Sequence, residues 1–178
     1  MEIAARLPIS IELTTLSELD YHDEIPETGS TLAENSRIKS EFVANKFKEN
    51  CFADDTGLEV EALKGEPGVY SARYAGETSN SEANMDLLLE KLAGTENRNA
   101  QFKTIISLFW EGEFYQFEGI VKGKILEARK GNKGFGYDPI FQPDEADCSF
   151  AEMDLDEKNK ISHRARAIEK MLKFIKNY

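Results

Sequence analysis

The sequence has little that could staple or metallate a fold. Cys51 and Cys148 are its only cysteines in 178 residues, too few for a disulfide framework and too far apart for a Cys-x-x-Cys metal knuckle. That favours a reduced, cytoplasmic setting. Two histidines rule out a histidine-rich zinc site. No apolar run approaches the roughly 18 residues of a membrane span, and Met1 to Leu7 lacks an apolar signal core. There is no internal repeat, no low-complexity tract and no Pro/Ser-rich linker. Both the Gly-x-x-x-x-Gly-Lys-Ser/Thr phosphate loop and a Gly-x-Gly-x-x-Gly after a strand are missing. Positive charge is also short: 22 Lys and Arg stand against 33 Asp and Glu, a net −11. Such a chain repels a phosphate backbone, which argues against nucleic acid polymers and anionic membranes as partners. A small anion can still be held where bases cluster, or where a divalent cation bridges it to carboxylates.

What is present is an ordinary globular mixture, 40% hydrophobic and 31% charged, in a chain of one-domain length spanning residues 1–178, read as two lobes sharing a core. Strand-like and helix-like segments alternate, which predicts an α/β or α+β architecture. Residues 1–7 read as the tail of a helix stopped by Pro8, and Ile9, Ile11 and Leu13 alternate as in a half-buried strand. Thr31 and Glu34 form a capping box for a helix to about Phe47, with Asn35, Lys39, Phe42 and Lys46 on one stripe. Cys51-Phe52-Ala53 reads as a strand end, broken at Gly57, with Leu58, Val60 and Ala62 alternating in a following strand. Ser79 and Glu82 cap a helix carrying Met85, Leu88, Leu89 and Leu92, ending at Gly94. Phe102–Trp110 and Phe114–Ile120 form a hairpin across Glu111-Gly112-Glu113. The last helix, about Ser162 to Lys176, turns Ile161, Ala165, Ile168, Leu172 and Ile175 to the core.

Several segments could carry chemistry. Asp54-Asp55 stands where an apolar strand meets a glycine, a place suited to holding Mg²⁺ or to general-base work; Asp-Asp-Thr-Gly is equally a good turn. Glu27-Thr28-Gly29 enters a helix and could share a metal with the aspartates, or be solvated surface. Lys39 could meet a phosphate or face solvent. Gly134-Phe135-Gly136-Tyr137-Asp138-Pro139 offers a ring to stack on a base and an acid to accept from a ring N–H, or a glycine-rich turn with a buried phenylalanine. Lys158 with Ser162-His163-Arg164 suits a phosphate or a purine edge, or is a capping turn with surface bases. Gly131-Asn132-Lys133-Gly134 fits the Gly-x-x-Gly of an RNA-clamping module, but so does Gly65-Glu66-Pro67-Gly68, and the net charge opposes RNA.

Taken in order, these segments resemble the inosine triphosphate pyrophosphatase family. The matching stretches are Glu27-Thr28-Gly29, Glu34-Asn35 with Lys39, Phe52 to Leu58, Pro67 to Gly76, Gly134 to Pro139, and Lys158 with Ser162-His163-Arg164. The resemblance implies a two-lobed α/β fold around a long mixed central sheet, with flanking helices and an interlobe cleft, and a homodimer. It implies Mg²⁺-dependent cleavage of deaminated purine triphosphates to the monophosphate and pyrophosphate. By position, Asp55 resembles the general base, and Glu27, Asp54 and Asp55 the metal carboxylates. Lys39 and Lys158 resemble phosphate ligands, and Phe135, Asp138, His163 and Arg164 the purine pocket. Asn35, Thr56 and Tyr137 lie in the same stretches as further site residues. The family opens with a strand and a Ser/Thr-x-Asn-x-x-Lys phosphate loop; Glu2-Ile3 aligns just after it, so that loop is expected to precede Met1. The alternative expectation is therefore an impaired or non-catalytic nucleotide-binding homodimer.

Overall fold

Thr31 opens the first helix as a capping box requires. Its hydroxyl accepts from the Glu34 amide at 3.1 Å, and the Glu34 carboxylate accepts from the Thr31 amide at 3.1 Å. In the computed structural model, which describes residues 7, 8 and 11–178, this helix, α1, spans Leu32–Phe47. It is followed by β1 (Cys51–Val60), α2 (Ser81–Lys91), β2 (Asn99–Trp110), β3 (Glu113–Ile125), β4 (Phe141–Pro143), α3 (Leu155–Ile161) and α4 (His163–Asn177). The helix tail expected over residues 1–7 lies outside the described residues except for Leu7. The strand expected through Ile9, Ile11 and Leu13 is not formed where it is described: residues 11–15 are irregular. Leu7 and Ile11 instead pack against the apolar cluster under α4.

The α/β class with flanking helices is as read, but the sheet, among the described residues, is antiparallel rather than mixed. Among the described residues four strands pair in sequence order, β1-β2-β3-β4, and every pairing is antiparallel. The expected hairpin joins β2 to β3 through Glu111 and Gly112, at φ 50° and 89°; two successive positive φ values give the turn whose twist matches the flanking strands. Ser162 caps α4 as expected, whereas α2 is capped one residue later than expected, by Asn80.

Helices cover both faces of the sheet. Ser36 of α1 bonds Ser107 of β2 at 2.8 Å, while the neighbouring Ile106 and Leu108 pack with Ala167, Ile168, Met171 and Leu172 of α4. Adjacent strand residues point to opposite faces, so α1 and α4 sandwich β2. The apolar core forms two clusters. One joins Ile106 and Leu108 to α4. The other gathers Leu58, Val60, Phe102, Val121 and Ile125 with Met85 and Leu88 of α2, Leu92 just after it, and Phe141 and Phe150. Between them runs a polar belt: Asp54 to Gly57 on β1 and the buried Thr104 on β2.

The contact of α4 with β3 depends on Gly119. A Cβ there would stand 1.9 Å from the His163 carbonyl oxygen and 2.6 Å from the Ala167 amide. Backbone cannot give way as a flexible side chain can. Gly119→Ala is therefore expected to lower the unfolding free energy by about 3 kcal/mol, read by urea denaturation.

Candidate active site

β1 does not break at Gly57. It runs unbroken from Cys51 to Val60, with Asp54 opposite Ile106 and Asp55 opposite Ile105 on β2. The turn reading of Asp-Asp-Thr-Gly is thereby corrected: the aspartates lie mid-strand. Gly57 is needed for close approach, since a Cβ there would lie 2.5 Å from the Gly68 carbonyl oxygen. Leu58 N donates to Ser71 Oγ at 2.9 Å, tying β1 to the 3-10 turn Gly68–Arg73.

Asp55 faces α1. Lys39 Nζ stands 2.6 Å from Glu27 Oε1 and 3.2 Å from Asp55 Oδ1, so one ammonium bridges both carboxylates. Arg73 approaches the other Glu27 oxygen at 3.6 Å. Asn35 is buried beside them: its side-chain oxygen accepts from Gly29 N at 2.8 Å and fixes the loop that carries Glu27, and its side chain also acts on Asp55. Burial pushes the Asp55 carboxyl above its ordinary value, with Glu27 adding to the rise against the pull of Lys39 and of the Asn35 side chain. Burial draws Lys39 down, but Glu27 and Asp55 outweigh it and hold the ammonium above the usual lysine value.

Asp54 faces the other way. Its Oδ2 accepts from Arg164 Nη2 at 2.9 Å and Nε at 3.1 Å, from the first turn of α4. The three expected metal carboxylates are thus not assembled in one cluster, and among the described residues no three acidic, histidine or cysteine side chains converge as a metal cage. Glu27 and Asp55 do fit a hard divalent cation. Both offer oxygen, and Asp55 Oδ2 is buried without a hydrogen-bond partner.

The cleft encloses about 350 Å³ and is also lined by Thr56, Phe135, Tyr137, Asp138 and His163. Asp138, 2% exposed, is ion-paired with Lys158 and accepts from Phe135 N at 2.8 Å. Lys158, read from sequence as a phosphate base, is thus buried against Asp138, its Nζ 4.8 Å from the Phe135 ring centroid. Gly134 makes room for Asp138, because a Cβ would meet its Oδ2 at 2.1 Å. His163 stacks on Phe102 at 4.7 Å and 17°. Burial, and then the Arg164 and Lys158 cations, lower its pKa to about 3, so the ring is neutral, and its buried Nδ1 has no partner. Thr56 bonds Thr104 at 2.6 Å, and Tyr137 donates to the Ser71 carbonyl at 2.9 Å; both brace the wall.

Asn84, Phe102 and, beside Glu27, Arg73 escaped the sequence reading as site residues. Asn84 of α2, 3% exposed, accepts from Ala75 N at 2.7 Å and donates to the Ala72 carbonyl at 2.9 Å, pinning the loop after β1. An asparagine beside the apolar stripe of a helix was the available signal. Arg73 was quoted only as part of a motif. Phe102 gives no signal, because its stacking on His163 looks in sequence like any strand phenylalanine.

A sequence profile described as the Ham1 family matches residues 1–174. The chain belongs to the Ham1 family. Among its relatives, a Flavobacterium johnsoniae protein named dITP/XTP pyrophosphatase is 50% identical over 171 residues, 96% of this chain and 89% of that protein. A Porphyromonas gingivalis protein of the same name is 46% identical over 175 residues, covering 98% of this chain and 90% of its own. The Ham1 protein structure from Staphylococcus aureus superposes with a TM-score of 0.87 at 45% identity, over 91% of this chain and 85% of that one. A HAM1 protein structure from Coxiella burnetii gives 0.92 at 34% identity, over 99% and 92%. The Ham1 assignment therefore rests on sequence and fold together.

The buried imidazole of this Ham1 chain makes stability depend on pH. Above the ordinary histidine value of 6.5, folded and unfolded chains both hold the ring neutral. Below it only the unfolded chain takes the proton, until the folded ring follows near pH 3. His163 is expected to cost the fold up to about 1.4 kcal/mol per pH unit across that window. Urea melts from pH 7 to 4.5 should fall more steeply for the wild type than for His163→Gln.

Proposed function

We propose that this chain hydrolyses deaminated purine nucleoside triphosphates (ITP, XTP and dITP) to the monophosphate and pyrophosphate, with Mg²⁺ as cofactor. The observation that carries the proposal is Asp55, a buried mid-strand carboxylate with one unpartnered oxygen, set between a cluster of cations and an aromatic pocket. The relatives named dITP/XTP pyrophosphatase support the same substrate class.

In the reaction a water oxygen bonds the α-phosphorus, the bond from that phosphorus to the α–β bridging oxygen breaks, and pyrophosphate departs. Asp55 accepts the proton of the attacking water, a task suited to a carboxylate whose burial raises its basicity. Glu27 and Asp55 are the residues that would hold Mg²⁺, which when bound would supply charge withdrawal from the triphosphate. Lys39, and Arg73 at the cleft mouth, place positive charge beside Glu27, where the phosphates would lie. Asp54 orients Arg164. Phe135, two-thirds exposed, offers its face to the base. A 6-keto oxygen needs a donor and the ring N–H beside it an acceptor; Arg164 supplies the first and Asp138 the second. Adenine reverses that edge, setting its amino donor against the Arg164 donor and its bare ring nitrogen against the Asp138 acceptor.

The same proposal treats residues 1–178 as one catalytic unit in a cytoplasmic homodimer, and light scattering should give twice the 20.1 kDa chain mass. Among the described residues no helix is long and apolar enough to cross a membrane.

Pyrophosphate release with Mg²⁺ should favour ITP over ATP by at least about 100-fold in kcat/KM. Asp55→Asn should lower kcat by about 1,000-fold while the chain stays folded. Binding of ITP without pyrophosphate release by the wild type would replace this reading with a non-catalytic nucleotide binder.

A further inference from the structure

Lys39 stands where a cation between two carboxylates would stand. Its ammonium contacts Glu27 Oε1 and Asp55 Oδ1 at 2.6 and 3.2 Å, and the three side chains are 18%, 30% and 13% exposed. The other cleft cations are similarly engaged: Arg73 near the second Glu27 oxygen at 3.6 Å, and Arg164 on Asp54 at 2.9 Å. Lysine, arginine and carboxylate here neutralise one another: Asp55 Oδ2 is left unpartnered, but the gap between the two carboxylates is filled by an ammonium and the cations are engaged.

The two carboxylates are fixed from outside. Asp55 is held by the β1–β2 ladder opposite Ile105, and the loop bearing Glu27 by the bond from Gly29 N to Asn35. Lys39 projects from α1 on a flexible four-carbon stem, so its ammonium is the member free to move. A divalent cation cannot share the gap with an ammonium without strong repulsion.

We propose that Lys39 is an internal counter-ion that holds the Glu27–Asp55 cradle until the metal and the triphosphate enter together by exchange. The divalent cation takes the gap between the carboxylates, and the displaced ammonium takes a phosphate oxygen. This rests on the reaction proposed above. Metal alone binds weakly, because it must evict a paired ammonium that then has no partner. The triphosphate alone binds weakly, because its cations are already engaged. Together they bind with positive coupling, and each tightens the other by the same factor.

The test uses Mn²⁺ as the metal, followed by calorimetry and electron spin resonance, and the α,β-methylene analogue of ITP as a nucleotide that cannot be cleaved at the α–β bond. Lys39→Met keeps the length of the stem and removes the charge. It should bind Mn²⁺ alone at least tenfold tighter than the wild type, and the mutual tightening of Mn²⁺ and the analogue should fall at least tenfold. Lys103→Met, whose ammonium pairs with Glu59 and Glu118 outside the cleft, should leave both quantities within twofold. Melting gives a second reading, since Mn²⁺ should raise the Tm of Lys39→Met more than that of the wild type. If Lys39→Met does not fold, Lys39→Gln takes its place with the same expectations. Mn²⁺ affinity unchanged or weakened in the variant overturns the exchange. Pyrophosphate release from ITP by the wild type separates the two ideas. Tight Mn²⁺ binding by the variant with no wild-type release overturns the reaction and leaves the exchange standing; strong release with unchanged Mn²⁺ affinity does the reverse.

Discussion

Side chains alternate across a strand, and β1 carries two aspartates in succession. That period of two sends Asp55 toward α1 and Asp54 toward α4, one residue apart along the same backbone. Each face then answers its own carboxylate with its own cations. Lys39 and Arg73 gather with Glu27 on one side, while Arg164 from the first turn of α4 pairs on the other. The cleft is thus organised around a single extended segment, and both helix contacts that define it depend on the strand not bending at Gly57.

This explains which parts of the fold and site were legible in sequence. Helix ends were, because a capping box or a capping serine is a local hydrogen-bond pattern: Thr31 with Glu34, and Ser162, sit where they were read. The hairpin was legible at Glu111-Gly112 for the same reason. The unbroken β1 was not, because Gly57 signals a turn locally, and only the arrival of the Gly68 carbonyl shows why a residue without Cβ stands there. A similar limit hid Gly119, which is small because α4 lies on it. Sequence order brought Glu27, Lys39, Asp55, Phe135, Asp138 and His163 into one list, and the cleft does bring most of them together. It could not show that Asn35 holds the Glu27 loop through Gly29, that Lys158 is consumed by Asp138, or that Asp54 points away from Asp55. Those are matters of direction, and direction follows from packing.

Buried polar groups hold the walls of the cleft. Asn84 ties Ala72 and Ala75, Tyr137 ties Ser71, and Asp138 ties Phe135 and Lys158. Each would be costly if left unpaired in the interior, so each loop is held in the one geometry that satisfies its anchor. The aromatic face of Phe135 is presented on a loop whose position is set by a carboxylate beneath it.

A net charge of −11 weighs more heavily on a polyanion the longer that polyanion is. A free nucleotide carries its few charges largely masked by a divalent cation and meets the net −11 of the chain once. A strand meets it at every phosphate, and the repulsion grows with each one. On the proposed function, long-range charge would thereby disfavour polymerised bases and leave the short-range contacts to discriminate among mononucleotides.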